Sequence, residues 1–185
     1  MQHFNKDVHR KVRGFTLVEM LIVLAIGASV LFGVFVAVSA VQNQQASNEA
    51  SENLNLFAAE IQTLFRGQSD FSDISNTVLL DAGTVPGPME QGGEIVTAWN
   101  DEVEVTSVTL TGTSGTDNAF QIEYPLPEAA CTNVIQAVEG AFAEVQVGGS
   151  IIKDANNREL DVPTLASECS SDGDLVEDVL FIQGR

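Results

Sequence analysis

The chain has 185 residues, the length of one domain with or without an appendage. Eight Lys and Arg face 26 Asp and Glu, a net charge of -18, which excludes gripping nucleic acid or an anionic membrane surface through a basic patch. Its few zinc-type ligands lie far apart in sequence, His3 and His9 against Cys131 and Cys169, so a four-ligand structural zinc site is not expected.

Charge is distributed unevenly from the first residues. Four of the eight cations (Lys6, Arg10, Lys11, Arg13) fall in the first 13 positions, with Asp7 the single acid among them. An apolar stretch follows from Phe15 to Val41, interrupted only by Glu19. Met20 to Val41 is 22 uncharged residues, enough to cross a bilayer core of about 30 Å as a helix. Basic residues flanking a span stay cytoplasmic, so the N-terminus is expected inside and the acidic bulk outside.

An ordinary secretory signal would be cut after Val38-Ser39-Ala40, but its apolar core is usually only ~7–15 residues long. A plain membrane anchor is a second possibility. Neither explains Glu19, since an ionisable side chain in a membrane segment is costly and implies a partner. The junction Arg13-Gly14-Phe15-Thr16-Leu17-Val18-Glu19-Met20 closely resembles the class III leader of type IV pilins and related pseudopilins. The resemblance implies a basic leader, residues 1–14, removed after Gly14 on the cytoplasmic side by a prepilin peptidase. The same enzyme would methylate the new N-terminus at Phe15, and Glu19 would be the family's glutamate. It further implies an inner-membrane prepilin with a periplasmic head, passed to the pilus assembly machinery and ending in an extracellular filament. Cleavage would leave an ammonium at Phe15 in apolar surroundings, where an unpaired charge is expensive. Glu19 of a neighbouring subunit could neutralise it and fix the axial stagger. The chain's own Glu19 lies within reach by the same spacing.

The helix is expected to continue beyond the span, because Gln42 to Asn53 contains neither Pro nor Gly. Leu54, Phe57, Ala58, Ile61, Leu64 and Phe65 then recur with helical spacing and predict an apolar face. Arg66-Gly67 suits a helix C-terminus. A single helix from Phe15 to Arg66 would be about 78 Å long, with residues 15–41 in lipid or among copies of the chain and residues 42–66 against the head. Ala25, Ser29, Gly33 and Ala37 recur every four residues, the small-xxx-small spacing of close helix packing; the general richness of membrane helices in small residues would produce the same series. Gly27 and Gly33 weaken a helix interior by about 0.8–1 kcal/mol each relative to Ala.

Residues 67–185 read as a globular head. Gln68 to Pro88 is an irregular connection with room for one short helix near Val78-Leu80. Strands are predicted at Glu94–Trp99, Glu102–Leu110 and Ala119–Tyr124, two successive hairpins with a turn at Gly112–Asn118. Glu128–Phe142 reads as a second helix with Val134, Ile135, Val138, Ala141 and Phe142 on its apolar face. Glu144–Ile152 predicts a hairpin turning at Gly148-Gly149, and Leu175–Gln183 a closing strand. The fold class is therefore α+β, a long N-terminal stem helix packed on an antiparallel sheet with a second helix.

An even cysteine pair in an exported domain is most simply a disulfide, Cys131 to Cys169, contributing about 2–4 kcal/mol. The stretch from Cys131-Thr132-Asn133-Val134-Ile135 through Gly148-Gly149 to Cys169 also resembles the C-terminal half of type IVb major pilins, more loosely than the leader does. Two departures accompany it. Phe15 is more usual in type IVa pilins, whereas the absence of proline from the stem points to type IVb.

Catalytic chemistry is not expected. The head has no histidine to serve a Ser or Cys nucleophile, and no phosphate, dinucleotide, zinc-protease or hydrolase motif occurs. Acidic runs at Asp154–Glu159 and Asp172–Asp178 offer oxygens to calcium, but neither has EF-hand spacing, and a solvated acidic loop is the default. No cofactor is expected. The resulting expectation is a structural subunit that forms a homo-oligomeric filament. A type II secretion pseudopilin or minor pilin, and a monomeric anchored or secreted binding protein, are the alternatives.

Overall fold

The structure is a computed structural model that describes residues 16–110, 114–170 and 175–184, without the side chains of residues 35–40. The leader, residues 1–14, lies outside the described residues, as does Phe15. The chain divides into two compact units, Met1–Val41 and Gln42–Arg185. Helix α1, Leu17–Leu64, contributes to both.

In the first unit, α1 starts where its sequence supplies a cap. Thr16 precedes the helix, its Oγ1 accepts a hydrogen bond from the Glu19 N–H at 3.3 Å, and its carbonyl accepts from the Met20 N–H at 3.2 Å. A hydroxyl at the N-cap satisfies a backbone donor that the first helical turn cannot. From Leu17 to Val34 every residue is exposed, and the stretch is long and apolar enough to cross a membrane. The helix runs unbroken through Gly27 and Gly33.

In the second unit, Ala50, Leu54, Phe57, Ala58 and Ile61 of α1 form a buried stripe at the spacing of one helix face. Leu64, expected on that face, is 39% exposed, and Phe65, in the 3-10 turn Phe65–Gly67 that ends the helix, takes the buried place. Phe65 packs on Phe71 and Phe71 on Phe120, with ring centroids 5.4 and 5.3 Å apart.

Helix α2, Asn76–Asp81, is capped by the Ser75 hydroxyl. The hairpin β1, Glu90–Gln91, and β2, Glu94–Ile95, turns at Gly92-Gly93, both at positive φ. The predicted strand Glu94–Trp99 therefore stops after two residues, and only an isolated bridge, Val96 to Glu102, remains of its hairpin. Buried Thr97 explains the interruption, because its Oγ1 accepts from the N–H groups of Trp99 and Asp101, each at 3.2 Å. Such local bonds compete with a sheet ladder.

A five-stranded antiparallel sheet forms the body of the head. Its strands are β3, Glu104–Val108; β4, Ala119–Glu123; β6, Glu144–Val147; β7, Ser150–Lys153; and β9, Val179–Gly184, in the order β3-β4-β9-β6-β7. A separate pair joins β5, Leu126–Pro127, to β8, Leu175–Val176. The expected closing strand is thus two strands, split at Glu177-Asp178, and the last of them fills the centre of the sheet. The β6–β7 turn uses Gly148 and Gly149 at φ +57° and +79°, the conformation a tight two-residue hairpin requires. At the sheet edge, Asn76 substitutes for a missing strand: its amide donates to the Val103 carbonyl at 2.7 Å and accepts from the Val105 N–H at 2.9 Å.

Helix α3, Glu128–Val138, passes into a 3-10 turn, Glu139–Ala141, so the helix ends short of Phe142. Helix α4, Val162–Glu168, was not foreseen. Asp161 caps it, accepting from the Thr164 N–H at 3.2 Å and the Thr164 hydroxyl at 2.7 Å, and these bonds hold its carboxyl below the ordinary range. The core gathers the α1 stripe, Val134, Ile135 and Val138 of α3, and the inner sheet residues Phe120, Ile122, Val145, Val147, Val179 and Phe181. A disulfide joins Cys131 in α3 to Cys169 at the end of α4, both buried, with Cα atoms 5.7 Å apart.

On the opposite sheet face Glu104 sits directly across from Glu123, an arrangement that opposes pairing. Burial, then the charges of Glu104 and Asp178, push the Glu123 carboxyl above its ordinary value. Its ionised form is therefore disfavoured in the folded state. The cost is absent at pH below the ordinary carboxylate range, grows as pH rises through the raised value, and is complete at neutral pH. Glu123→Gln should accordingly raise the unfolding temperature at pH 7, with the gain shrinking at about pH 3, below the ordinary carboxylate range. Equal gains at both pH values in calorimetry would contradict this origin.

Candidate assembly surface of the N-terminal helix

The residues singled out in the sequence fall into a stem group and a head group. Gly14 and Phe15, the expected cleavage and methylation positions, lie outside the described residues. Glu19 is the third residue of α1 and is exposed. Its place is set by the cap, because Thr16-Leu17-Val18-Glu19 has the Ser/Thr-x-x-Glu spacing of a capping box. The hydroxyl half of that motif is formed. An acidic group in the first turn also complements the helix dipole. Thr16 is thus a positioning residue that sequence reasoning overlooked, although the spacing was legible.

Further along, Ala25, Ser29 and Gly33 lie on an unbroken, exposed helix. The helix includes Ala37, whose side chain lies outside the description. Ser29 donates its hydroxyl to the Ala25 carbonyl at 2.9 Å, so two members of the series satisfy each other's polarity without a second chain. A Cβ placed on Gly27 or Gly33 would meet nothing within 4 Å, so neither glycine is required by contacts inside the chain. Small residues allow helix backbones to approach closely, and on this helix Ala25, Ser29 and Gly33 are all exposed.

In the head, Cys131 and Cys169 are consumed by their disulfide and are not available as nucleophiles. Tyr124 is buried, its hydroxyl oxygen accepts from the Ala98 N–H at 3.3 Å, and burial pushes its pKa to about 12, so it stays protonated at ordinary pH. Among the described residues no three His, Cys, Asp or Glu converge as a metal centre. The Asp154 carboxylate is occupied locally, accepting from the Asn156 N–H at 2.7 Å and the Asn156 amide at 3.1 Å. Much of the Asp172–Asp178 run lies outside the described residues.

If the Thr16 hydroxyl holds the first turn, Thr16→Ala should speed hydrogen exchange at the Glu19 amide about fivefold in detergent-solubilised protein, the scale of a lost cap of ~1 kcal/mol. NMR exchange rates that do not change would show that the turn is held by other means.

Comparison with known proteins bears on both groups. A family model described as PilS N-terminal matches residues 43–182, and one described as the prokaryotic N-terminal methylation motif matches residues 9–35. No curated protein matches the chain in sequence. Among solved structures, the fold is similar to TcpA, a type IV pilin from Vibrio cholerae El Tor biotype, at TM-score 0.58 and 16% identity. That similarity covers 76% of this chain and 99% of TcpA. It is also similar to a type IV b pilin from Salmonella typhi at TM-score 0.56 and 17% identity, over 75% of this chain and 99% of that one. Family and fold are those of structural proteins rather than enzymes.

Proposed function

Because the chain belongs to the PilS N-terminal family and has the fold of a type IV pilin, we propose that it is a structural subunit of a type IV pilus of the type IVb kind. The observation that carries this reading is the coincidence of a methylation motif over residues 9–35 with a fully exposed apolar helix at Leu17–Val34. A motif cut at its N-terminal side leaves that helix attached to the head, whereas an ordinary signal peptide would be lost with it.

On this reading residues 1–14 are the leader, residues 15–41 the membrane and filament-core segment, residues 42–66 the amphipathic part of the stem, and residues 67–185 the head. A prepilin peptidase cuts between Gly14 and Phe15 and methylates the Phe15 amine. The inner-membrane assembly machinery then extracts the subunit from lipid into an extracellular homopolymer. One repeated contact that does not close on itself generates a helical fibre. Intact-mass measurement of the mature protein tests the first step. A start at Phe15 with one added methyl is expected, whereas a start at Val41 or an uncut Met1 would overturn the reading.

Assembly depends on a second group. The Phe15 ammonium enters apolar surroundings, and Glu19 of the adjoining subunit supplies its counter-charge. Removing one partner of a buried ion pair costs about 3–5 kcal/mol. Glu19→Ala should still be inserted and cut, since Gly14 and the basic leader are intact, yet sheared filament should fall sharply at matched expression. Glu19→Gln should retain an intermediate yield. Wild-type filament yield from Glu19→Ala would remove the intersubunit role.

A further inference from the structure

The five-stranded sheet ends in β3 on one side and β7 on the other. An edge strand presents backbone N–H and C=O groups that can template pairing with another chain. On β3 and the residue before it, these outward groups belong to Val103, Val105 and, by the alternation of the ladder, Ser107. The first of them are already used. The Val103 N–H donates to the Ile95 carbonyl at 2.9 Å. Asn76 carries the ladder one step further, donating its amide to the Val103 carbonyl and accepting from the Val105 N–H.

A carboxamide repeats the donor and the acceptor of a peptide group. It can therefore end a ladder without supplying a strand that could be paired in turn. Asn76 is the first residue of α2, which is held by the Ser75 cap and by buried Leu79. Only residues 106–108 of β3 lie past this plug, about 10 Å of strand. The other edge is closed on the same plan. The Ile152 carbonyl of β7 accepts from the Asp161 N–H at 2.8 Å, and the Ser150 hydroxyl donates to Glu168 Oε1 at 2.9 Å. Both ends of α4 are thus tied to that strand.

We propose that Asn76 is a plug on the β3 edge that keeps a second copy of the chain from pairing there. Without it, two identical edges would meet antiparallel about a twofold axis, β3 against β3. That contact closes on itself and yields a dimer. The plug belongs to the head alone and does not depend on what the stem does.

Light scattering of the detergent-solubilised full-length protein tests this, because any association through the stem is common to all variants. Asn76→Ala should raise the protein mass about twofold over wild type as concentration increases, the step from one copy to a twofold pair. Adding Ser107→Pro, which removes an outward N–H that the new pairing needs, should return the mass to the wild-type value. Asp161→Ala loses the α4 cap but keeps its backbone N–H, so it should lower the unfolding temperature without changing the mass. Equal masses for Asn76→Ala and wild type overturn the plug. So does a rise that Ser107→Pro leaves in place or that Asp161→Ala reproduces. Where Asn76→Ala does not fold, Asn76→Asp decides. It keeps the acceptor for Val105 but sets a carboxylate against the Val103 carbonyl, and an unchanged mass there overturns the plug as well.

Discussion

Every side chain from Leu17 to Val34 is exposed, and hydrocarbon left in water costs about 25 cal/mol per Å². The segment is long and apolar enough to cross a membrane, and a bilayer would remove that cost. Lipid meets the need first, but lipid tails are as apolar as leucine, so exchanging lipid for another helix brings little further hydrophobic gain. Selectivity has to come from shape and from polar groups. The sequence offers both, in the small residues Ala25, Ser29 and Gly33 and in the lone carboxylate Glu19. Thr16 adds a third element, since a capped first turn gives Glu19 a defined place on the helix. If that cover is a bilayer, these few non-hydrocarbon groups are what distinguish one neighbouring helix from another.

The head follows a different rule, because there the partners are within the chain. The α1 stripe, α3 and the inner sheet face bury one another, and the last strand joins the rest. Pairing of β9 with both β4 and β6 merges the β3–β4 and β6–β7 hairpins into one sheet. Until those C-terminal residues arrive, each hairpin has an open edge, and isolated hairpins are only marginally stable. The disulfide fixes α3 to the end of α4, a separation of 38 residues, shortly before β8 and β9.

Elements governed by a strong local pattern were legible in the sequence. The long helix, the Gly148-Gly149 hairpin, the onset of α3 and the cysteine pair each depend on periodicity, turn chemistry or parity. Misreadings arose where a single side chain overrode the pattern. Thr97 diverts backbone donors that a strand at Glu94–Trp99 would need, and Glu177-Asp178 divides an apolar run between two sheets. Helix α4 is seven residues long with one buried apolar residue, Leu165, too few to show a helical period. Its signal lay in Asp161-Val162-Pro163-Thr164, a cap followed by a proline in the first turn. For the stem, residue types and spacing named the candidates, but only the hydrogen bond from the Glu19 N–H identified Thr16 as the cap of the first turn, in which Glu19 lies.

Charge and hydrocarbon are segregated along the chain, and this divides the work of assembly. Beyond the leader, four cations face 25 carboxylates, all but Glu19 of which lie past residue 41. Repulsion between such heads reaches only about 8 Å at physiological salt, so it acts chiefly between neighbours at contact distance. Electrostatic complementarity contributes specificity and register more than affinity. If the chain assembles as proposed, the groups that set its register lie in the stem, in Glu19 and the small residues, while the acidic heads disfavour packings that crowd their carboxylates.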